Sequence, residues 1–163
     1  MRLQHLLSND KSTFRTPLRA GCLLAGMVAL LAPLQAAPVV TTGYLVYVVS
    51  GTRIEAFNSA NGAFVFQFGG TGTGPGQFQL PSGIAVNNNT GNVWVTDALL
   101  NRVQEFNSNG TFLMQFGSTG KGPGFLYQPY GIATDIYGNV WVADTGNNRI
   151  EEFSAAGTFL QQL

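Results

Sequence analysis

An all-β protein built from repeated four-stranded antiparallel sheets is predicted by three observations. The first is the stretch Pro129–Phe153, which reads as three short strands separated by two tight turns rich in Gly, Asn and Asp. The second is its recurrence. Pro81–Phe106 repeats the pattern, 48 positions earlier at the proline and 47 at the arginine, and a weaker copy holds Gly43–Val48 and Arg53–Phe57. The third is composition: 45% hydrophobic residues, 10% charged and 21 glycines describe a packed, turn-rich β chain and exclude disorder. A period of this length accommodates one four-stranded unit per copy, so the copies are read as blades of a β-propeller.

The first 36 residues stand apart. Residues 1–19 are basic and polar, Ala20 to Leu34 is an uncharged Leu- and Ala-rich run, and Leu34-Gln35-Ala36 puts small residues before Ala37-Pro38. This is the layout of a secretory signal with cleavage after Ala36, which predicts a secreted or periplasmic protein. An uncleaved anchor is the alternative; Pro33 and the shortness of the run disfavour it. Cys22 precedes the apolar run, which argues against a lipid acceptor. The only cysteine, Cys22, and the only histidine, His5, both lie in this leader. A chain beginning at Ala37 therefore has no disulfide, thiol nucleophile, imidazole base or Cys/His zinc site. It carries four basic and seven acidic residues, a balance opposed to nucleic-acid binding.

The remaining residues, 37–163, divide into blades of about 37–69, 81–117 and 129–163. From the axis outward, the second blade reads Ile84–Val86, Asn92–Thr96, Arg102–Phe106 and Thr111–Phe116, and the third Ile132–Thr134, Asn139–Ala143, Arg149–Phe153 and Thr158–Gln162. The first offers Tyr44–Val49, Arg53–Phe57 and Phe64–Phe68, with an innermost strand expected from Val39-Val40 or from another chain. Apolar residues occupy both parities of the second strand (Val93 and Val95 against Trp94), the pattern of a sheet covered on both faces. Trp94, Trp141, Phe57, Phe106 and Phe153 are expected to fill the layers between blades, and Gly62, Gly91, Gly110, Gly138 and Gly157 to close hairpins at positive φ.

Pro-x-Gly-Ile-Ala, Gly-Asn-Val-Trp-Val-x-Asp and Asn-x-Arg-Ile/Val followed by x-x-Phe together resemble the NHL repeat, over roughly Gly43 to Leu163. Asp144-Thr145-Gly146-Asn147-Asn148-Arg149-Ile150 is close to that pattern, and Asp97–Val103 keeps its Asp, Asn and Arg. The first copy, Val49–Ile54, lacks the aspartate. The resemblance implies a six-bladed propeller, of which about three blades are present. A half-ring leaves two faces uncovered, so the chain is expected either to be part of a longer propeller or to close a ring as a homodimer.

Asp97, Asn101, Arg102, Asp144, Asn148, Arg149 and, in the first copy, Arg53 are read as a structural turn network, because a site usually differs between blades whereas these recur. The glycine-rich stretches 69–76 and 117–124 lack the Gly-Lys-Ser/Thr of a phosphate loop and are read as connections between blades. Propeller ligands commonly sit over the central channel, so the resemblance makes Lys121, Tyr127 and Tyr130 candidates for a ligand-binding loop face. Asn88-Asn89-Thr90 and Asn109-Gly110-Thr111 match the glycosylation sequon, but as hairpin turns they are already explained. The expectation is an exported scaffold that binds protein or carbohydrate, with no catalytic residue, metal or cofactor. It has no nucleic-acid partner and no membrane contact after cleavage. The alternative is part of a metal-dependent propeller enzyme, lyase- or lactonase-like, with only Asn87, Asn88, Asn89 and Asp135 near the inner strands.

Overall fold

A computed structural model describes residues 28–33, by backbone alone, and 44–163. Its strands form three separate antiparallel sheets of four, each in simple sequence order. The first contains β1 (Val28–Pro33), β2 (Tyr44–Ser50), β3 (Arg53–Asn58) and β4 (Phe64–Gly69). The second contains β5 (Pro81–Val86), β6 (Val93–Asp97), β7 (Arg102–Phe106) and β8 (Phe112–Phe116). The third contains β9 (Pro129–Thr134), β10 (Val140–Asp144), β11 (Arg149–Phe153) and β12 (Phe159–Gln162).

One expectation is corrected. The innermost strand of the first sheet is Val28–Pro33, paired with β2 from Val28↔Val48 to Pro33↔Tyr44. It comes from the apolar run 20–34, and Val39-Val40 lies outside the described residues, as does Ala36, where cleavage was expected. A β-branched and aliphatic stretch of this length is compatible with a buried strand as well as with an export signal. Periodicity does not separate the two.

The hairpins follow from local chemistry. Gly62, Gly91, Gly110, Gly138 and Gly157 all sit at φ between 68° and 87°, where a Cβ is strained. The turn asparagines Asn101 and Asn148 occupy the same left-handed region at φ 53° and 55°, which Asn tolerates better than most residues. A single-turn 3-10 helix, Thr145–Asn147, joins β10 to β11.

Packing between sheets makes two apolar layers. The first joins Leu45, Tyr47, Ile54 and Ala56 to Phe78, Ile84, Val86, Val93, Val95 and Phe106. The second joins Ala85, Trp94 and Val103 to Leu126, Ile132, Val140, Val142 and Phe153. Each layer has an aromatic pair across it, Phe68–Phe106 at 4.7 Å between centroids and Phe116–Phe153 at 4.4 Å. Polar groups cross it as well. Tyr47 Oη, its pKa pushed up to about 12 by burial, donates to the Ser108 carbonyl at 2.8 Å. Thr134 Oγ1 donates to Val86 O and Ser82 Oγ to Pro129 O.

The expected aromatic core is thus present in part. Trp94, Phe106 and Phe153 are fully buried, whereas Trp141 and Phe57 stay half-buried. Both occupy the register of buried counterparts, but their faces look outward from the end sheets.

Where β5 approaches β9 there is no room for a side chain. A Cβ on Gly83 would collide with the Tyr130 carbonyl and come within 2.9 Å of Thr96 Oγ1. Gly83→Ala is expected to destabilise the fold by about 1–3 kcal/mol through overpacking, read as a lower urea midpoint. Leu113→Ala, on an exposed position, should change it by less than about 0.5 kcal/mol.

Candidate functional site

Connectors 70–80 and 118–128 carry the chain from the outermost strand of one sheet to the innermost strand of the next. Each forms one isolated parallel bridge, Thr71↔Phe78 and Thr119↔Leu126. Phe78 and Leu126 are fully buried and press on Gly69 and Gly117, where a Cβ would fall 2.9 Å and 2.6 Å from their side chains. Glycine at those positions is therefore a packing requirement as well as a conformational one.

Above this plug, the polar corners of the second and third sheets each grip the connector that precedes them. In the second sheet, buried Asp97 accepts from the backbone N–H groups of Gln79, Leu80, Leu99 and Leu100. Arg102 donates to the carbonyls of Thr73, Gly74 and Gln77 and to Gln115 Oε1. In the third sheet Asp144 Oδ1 accepts from Tyr127 N at 2.6 Å, and its Oδ2 accepts from Asn147 Nδ2 and from Arg149 Nε at 2.8 Å. Arg149 donates onward to Lys121 O, Gly122 O and Phe125 O. Asn101 completes the arrangement: its Nδ2 donates to Thr119 Oγ1 and its Oδ1 accepts from Gln128 N.

The aspartate–arginine relation thus differs between sheets. Asp144 and Arg149 form a direct ion pair at 2.8 Å. Asp97 and Arg102 form no ion pair among the described residues and instead grip the same connector from two sides. Burial lowers the Arg102 pKa, opposed by the negative charge of Asp97. Arg53 is exposed, at a two-residue turn around Gly51 at φ 60° that has no aspartate. Asn148 holds the left-handed position that ends the 3-10 turn.

Two buried residues, Gln104 and Glu151, also belong to this arrangement and were missed in the sequence. Each lies two positions after the arginine. Gln104 Oε1 accepts from Gly76 N at 2.8 Å, and its Nε2 donates to Gln77 O at 2.9 Å. Glu151 Oε1 accepts from the corresponding Gly124 N and lies 3.0 Å from Arg149, but its Oε2 has no hydrogen-bond partner. Aligning Arg102-Val103-Gln104 with Arg149-Ile150-Glu151 was the signal that could have exposed the pair. Burial raises the Glu151 pKa, opposed by the Gly124 N–H and the Arg149 charge and reinforced by the negative charge of Asp144.

The proposed ligand-facing residues lie on the same side as the connectors. Lys121, Tyr127 and Tyr130 are all exposed, Tyr130 by 50%. Tyr127 packs its ring over Gly146. The Tyr130 backbone is tied down by Thr96 Oγ1 at 2.9 Å. Leu80, Leu99 and Phe125, which sequence reasoning passed over, are exposed on these loops too. Among the described residues no group of three His, Cys, Asp or Glu side chains comes together in a way that could hold a metal. Asp135 is engaged in its own turn, accepting from Tyr137 N, Asn139 N and Trp141 Nε1.

Residues 78–106, which contain Asp97, Asn101 and Arg102, match the family model of the NHL repeat. The chain carries an NHL repeat in a β-propeller fold. No curated protein matches it by sequence. Among solved structures, streptogramin B lyase superposes with a TM-score of 0.56 at 18% identity, over 76% of this chain and 38% of that one. Virginiamycin B lyase from Staphylococcus aureus gives 0.54 at 18%, over 85% and 44%. A protein described as exported, from Bacteroides fragilis, gives 0.57 at 19%, over 90% and 40%. At such identities the likeness concerns the propeller fold alone. The NHL-repeat chain spans less than half the length of each.

Two outcomes are expected of this network. Asp144→Asn should lower stability by about 1–3 kcal/mol, because it removes one of the two buried carboxylates paired with the Arg149 guanidinium and leaves only Glu151, measured by denaturant titration. Glu151, whose folded pKa is raised, stabilises the fold fully below its unfolded value, and that contribution is lost as pH rises through the folded value. Glu151→Gln, which can copy the Gln104 bond by donating to Phe125 O, should therefore be more stable than the parent at neutral pH. It should also flatten the fall in melting temperature between acid and neutral pH.

Proposed function

We propose that this chain is an exported binding module that takes a protein or carbohydrate ligand on its connector face and does no chemistry of its own. The observation that carries the reading is how the polar residues there are used. Asp97, Arg102, Asp144 and Arg149 direct their carboxylates and guanidinium groups at connector backbone and at each other. What remains outward is aromatic and aliphatic: Leu99, Tyr127 and Tyr130, beside Lys121. Aromatic rings with a polar edge suit sugar faces and protein hot spots, since they bury area at small entropic cost. Export rests on the basic–apolar–small layout of residues 1–36; cleavage after Ala36 takes β1 with it and leaves the first sheet with β2, β3 and β4. The likeness to a protein described as exported agrees with it. Among the described residues no helix is long and apolar enough to cross a membrane.

A second reading, part of a propeller lyase, has in its favour the structural likeness to streptogramin B lyase and virginiamycin B lyase. Arrays of oligosaccharides and of extracellular proteins, probed with the whole chain, separate the two. Binding that weakens about tenfold or more in Tyr130→Ala, the loss of one hot-spot aromatic, with melting temperature unchanged, is the expected result. Lyase turnover of a streptogramin B by the chain, together with a rise in melting temperature on adding a divalent cation, would replace this reading with the second.

A further inference from the structure

The two connectors share one framework and differ in what they show to solvent. They align 48 positions apart, with Thr71, Pro75, Gly76 and Pro81 repeated as Thr119, Pro123, Gly124 and Pro129. Three of the differences are concentrated on the solvent side: Thr73, Gln77 and Gln79 give way to Lys121, Phe125 and Tyr127. All six residues are exposed. Each connector runs between two sheets that are both in place, so this exposure belongs to the seam itself.

Hydrogen bonds confirm the equivalence. Arg102 donates to Thr73 O and Gln77 O while Asp97 takes the Gln79 N–H. Arg149 donates to Lys121 O and Phe125 O while Asp144 takes the Tyr127 N–H. The polar corner thus fixes the backbone of these three residues and leaves their side chains free. In the first connector Gln77 folds back, its Oε1 accepting from Gly74 N at 3.1 Å. In the second a ring takes that place. A Cβ on Gly120 would fall 2.7 Å from Phe125 Cδ1 and one on Gly122 3.4 Å from its Cδ2, so the ring lies across both glycines. Tyr127 is laid on Gly146 in the same manner. Yet Phe125 stays 46% exposed and Tyr127 42%. Two rings are therefore seated on glycine backbone with area open to solvent, held before any ligand arrives.

The charge beside them is unbalanced. Among the described residues Lys121 forms no ion pair, whereas Asp144 and Glu151 are both engaged with Arg149. We propose that connector 118–128 is the ligand subsite of the binding module proposed above, and that its ligand is an acidic oligosaccharide. Sugar rings stack their apolar C–H faces on Phe125 and Tyr127, and a hexuronate carboxylate meets the Lys121 ammonium. The inference rests on the binding-module reading and narrows it. Two rings and one ammonium match a sugar unit or two, whereas a stable protein interface takes roughly 20–30 residues a side. A single cation also falls short of the basic groove that tracks a nucleic-acid strand.

Calorimetric titration of the whole chain tests this with oligomers of galacturonate, glucuronate and mannuronate, each beside its methyl ester. At least one acid should bind at one site per chain, with its ester about tenfold weaker or more. Phe125→Gln and Tyr127→Gln, which install the residues of the first connector, should each weaken the acid about tenfold or more. Lys121→Thr should abolish the preference for acid over ester. Thr73→Lys, Gln77→Phe and Gln79→Tyr combined should add a second site, a gain that misfolding cannot mimic. No binding of any of the three acids, an ester that binds as well as its acid, or binding untouched by the swaps overturns the inference. A protein or neutral sugar held at the connector face in place of the acid overturns it alone and leaves the module standing. A single-stranded nucleic acid held there, or a connector face that takes neither protein nor carbohydrate, ends both.

Discussion

The middle sheet of this molecule is dry on both faces, and the stacking of its neighbours answers that constraint. Val93 and Val95 point one way along β6 and Trp94 the other, and all three are fully buried. A β-strand with apolar residues on both parities cannot settle at a surface, so each sheet requires a neighbour in front and behind. Stacking sheets side by side meets the requirement for every sheet except the first and last. Among the described residues, the outer faces of the first and third sheets are accordingly only partly covered.

Stacking alone does not fix how one sheet follows another, because glycine-rich connectors carry little conformational preference. The polar corner supplies what they lack. Arg102 and Arg149 each donate to three carbonyls of the connector ahead of their sheet, and Asp97 and Asp144 receive its N–H groups. A planar guanidinium with several fixed donors suits this better than a lysine ammonium. The corner acts as a fastener between units, a duty that accounts for its recurrence in the second and third sheets. The first sheet has only exposed Arg53 at a two-residue turn. The side chains facing solvent on the same loops, Leu99, Tyr127 and Tyr130 among them, are free of that duty and vary from copy to copy.

Small departures from the repeat mark where the chain tolerates tension. Gln104 satisfies both a connector N–H and a connector carbonyl, while Glu151 at the same position satisfies the N–H and leaves Oε2 unpartnered. Trp94 likewise buries its indole N–H without a partner, whereas Trp141 donates to Asp135. Asn87 stands at the position of Asp135, so the acceptor is altered in one copy and kept in the other. These are differences of one functional group, and they alter polar satisfaction without disturbing register.

Much of this was legible in the amino-acid order. Alternation, turn glycines and a recurrence of 47 to 48 positions were enough for twelve-strand logic, for hairpin geometry at five glycines and for the NHL likeness, because those are local properties of backbone and pattern. The recurring Asp, Asn and Arg could be assigned to turns for the same reason. That Arg102 and Asp97 act on a connector more than twenty and about seventeen positions away was not legible, since it depends on how two sheets dock. Nor was the choice of Val28–Pro33 over Val39-Val40 as the innermost strand, as a short apolar run suits a strand and a leader equally. The half-burial of Trp141 and Phe57 was decided only in three dimensions. Sequence shows which residues are apolar, but the cover over each face is set by the sheet that stacks there.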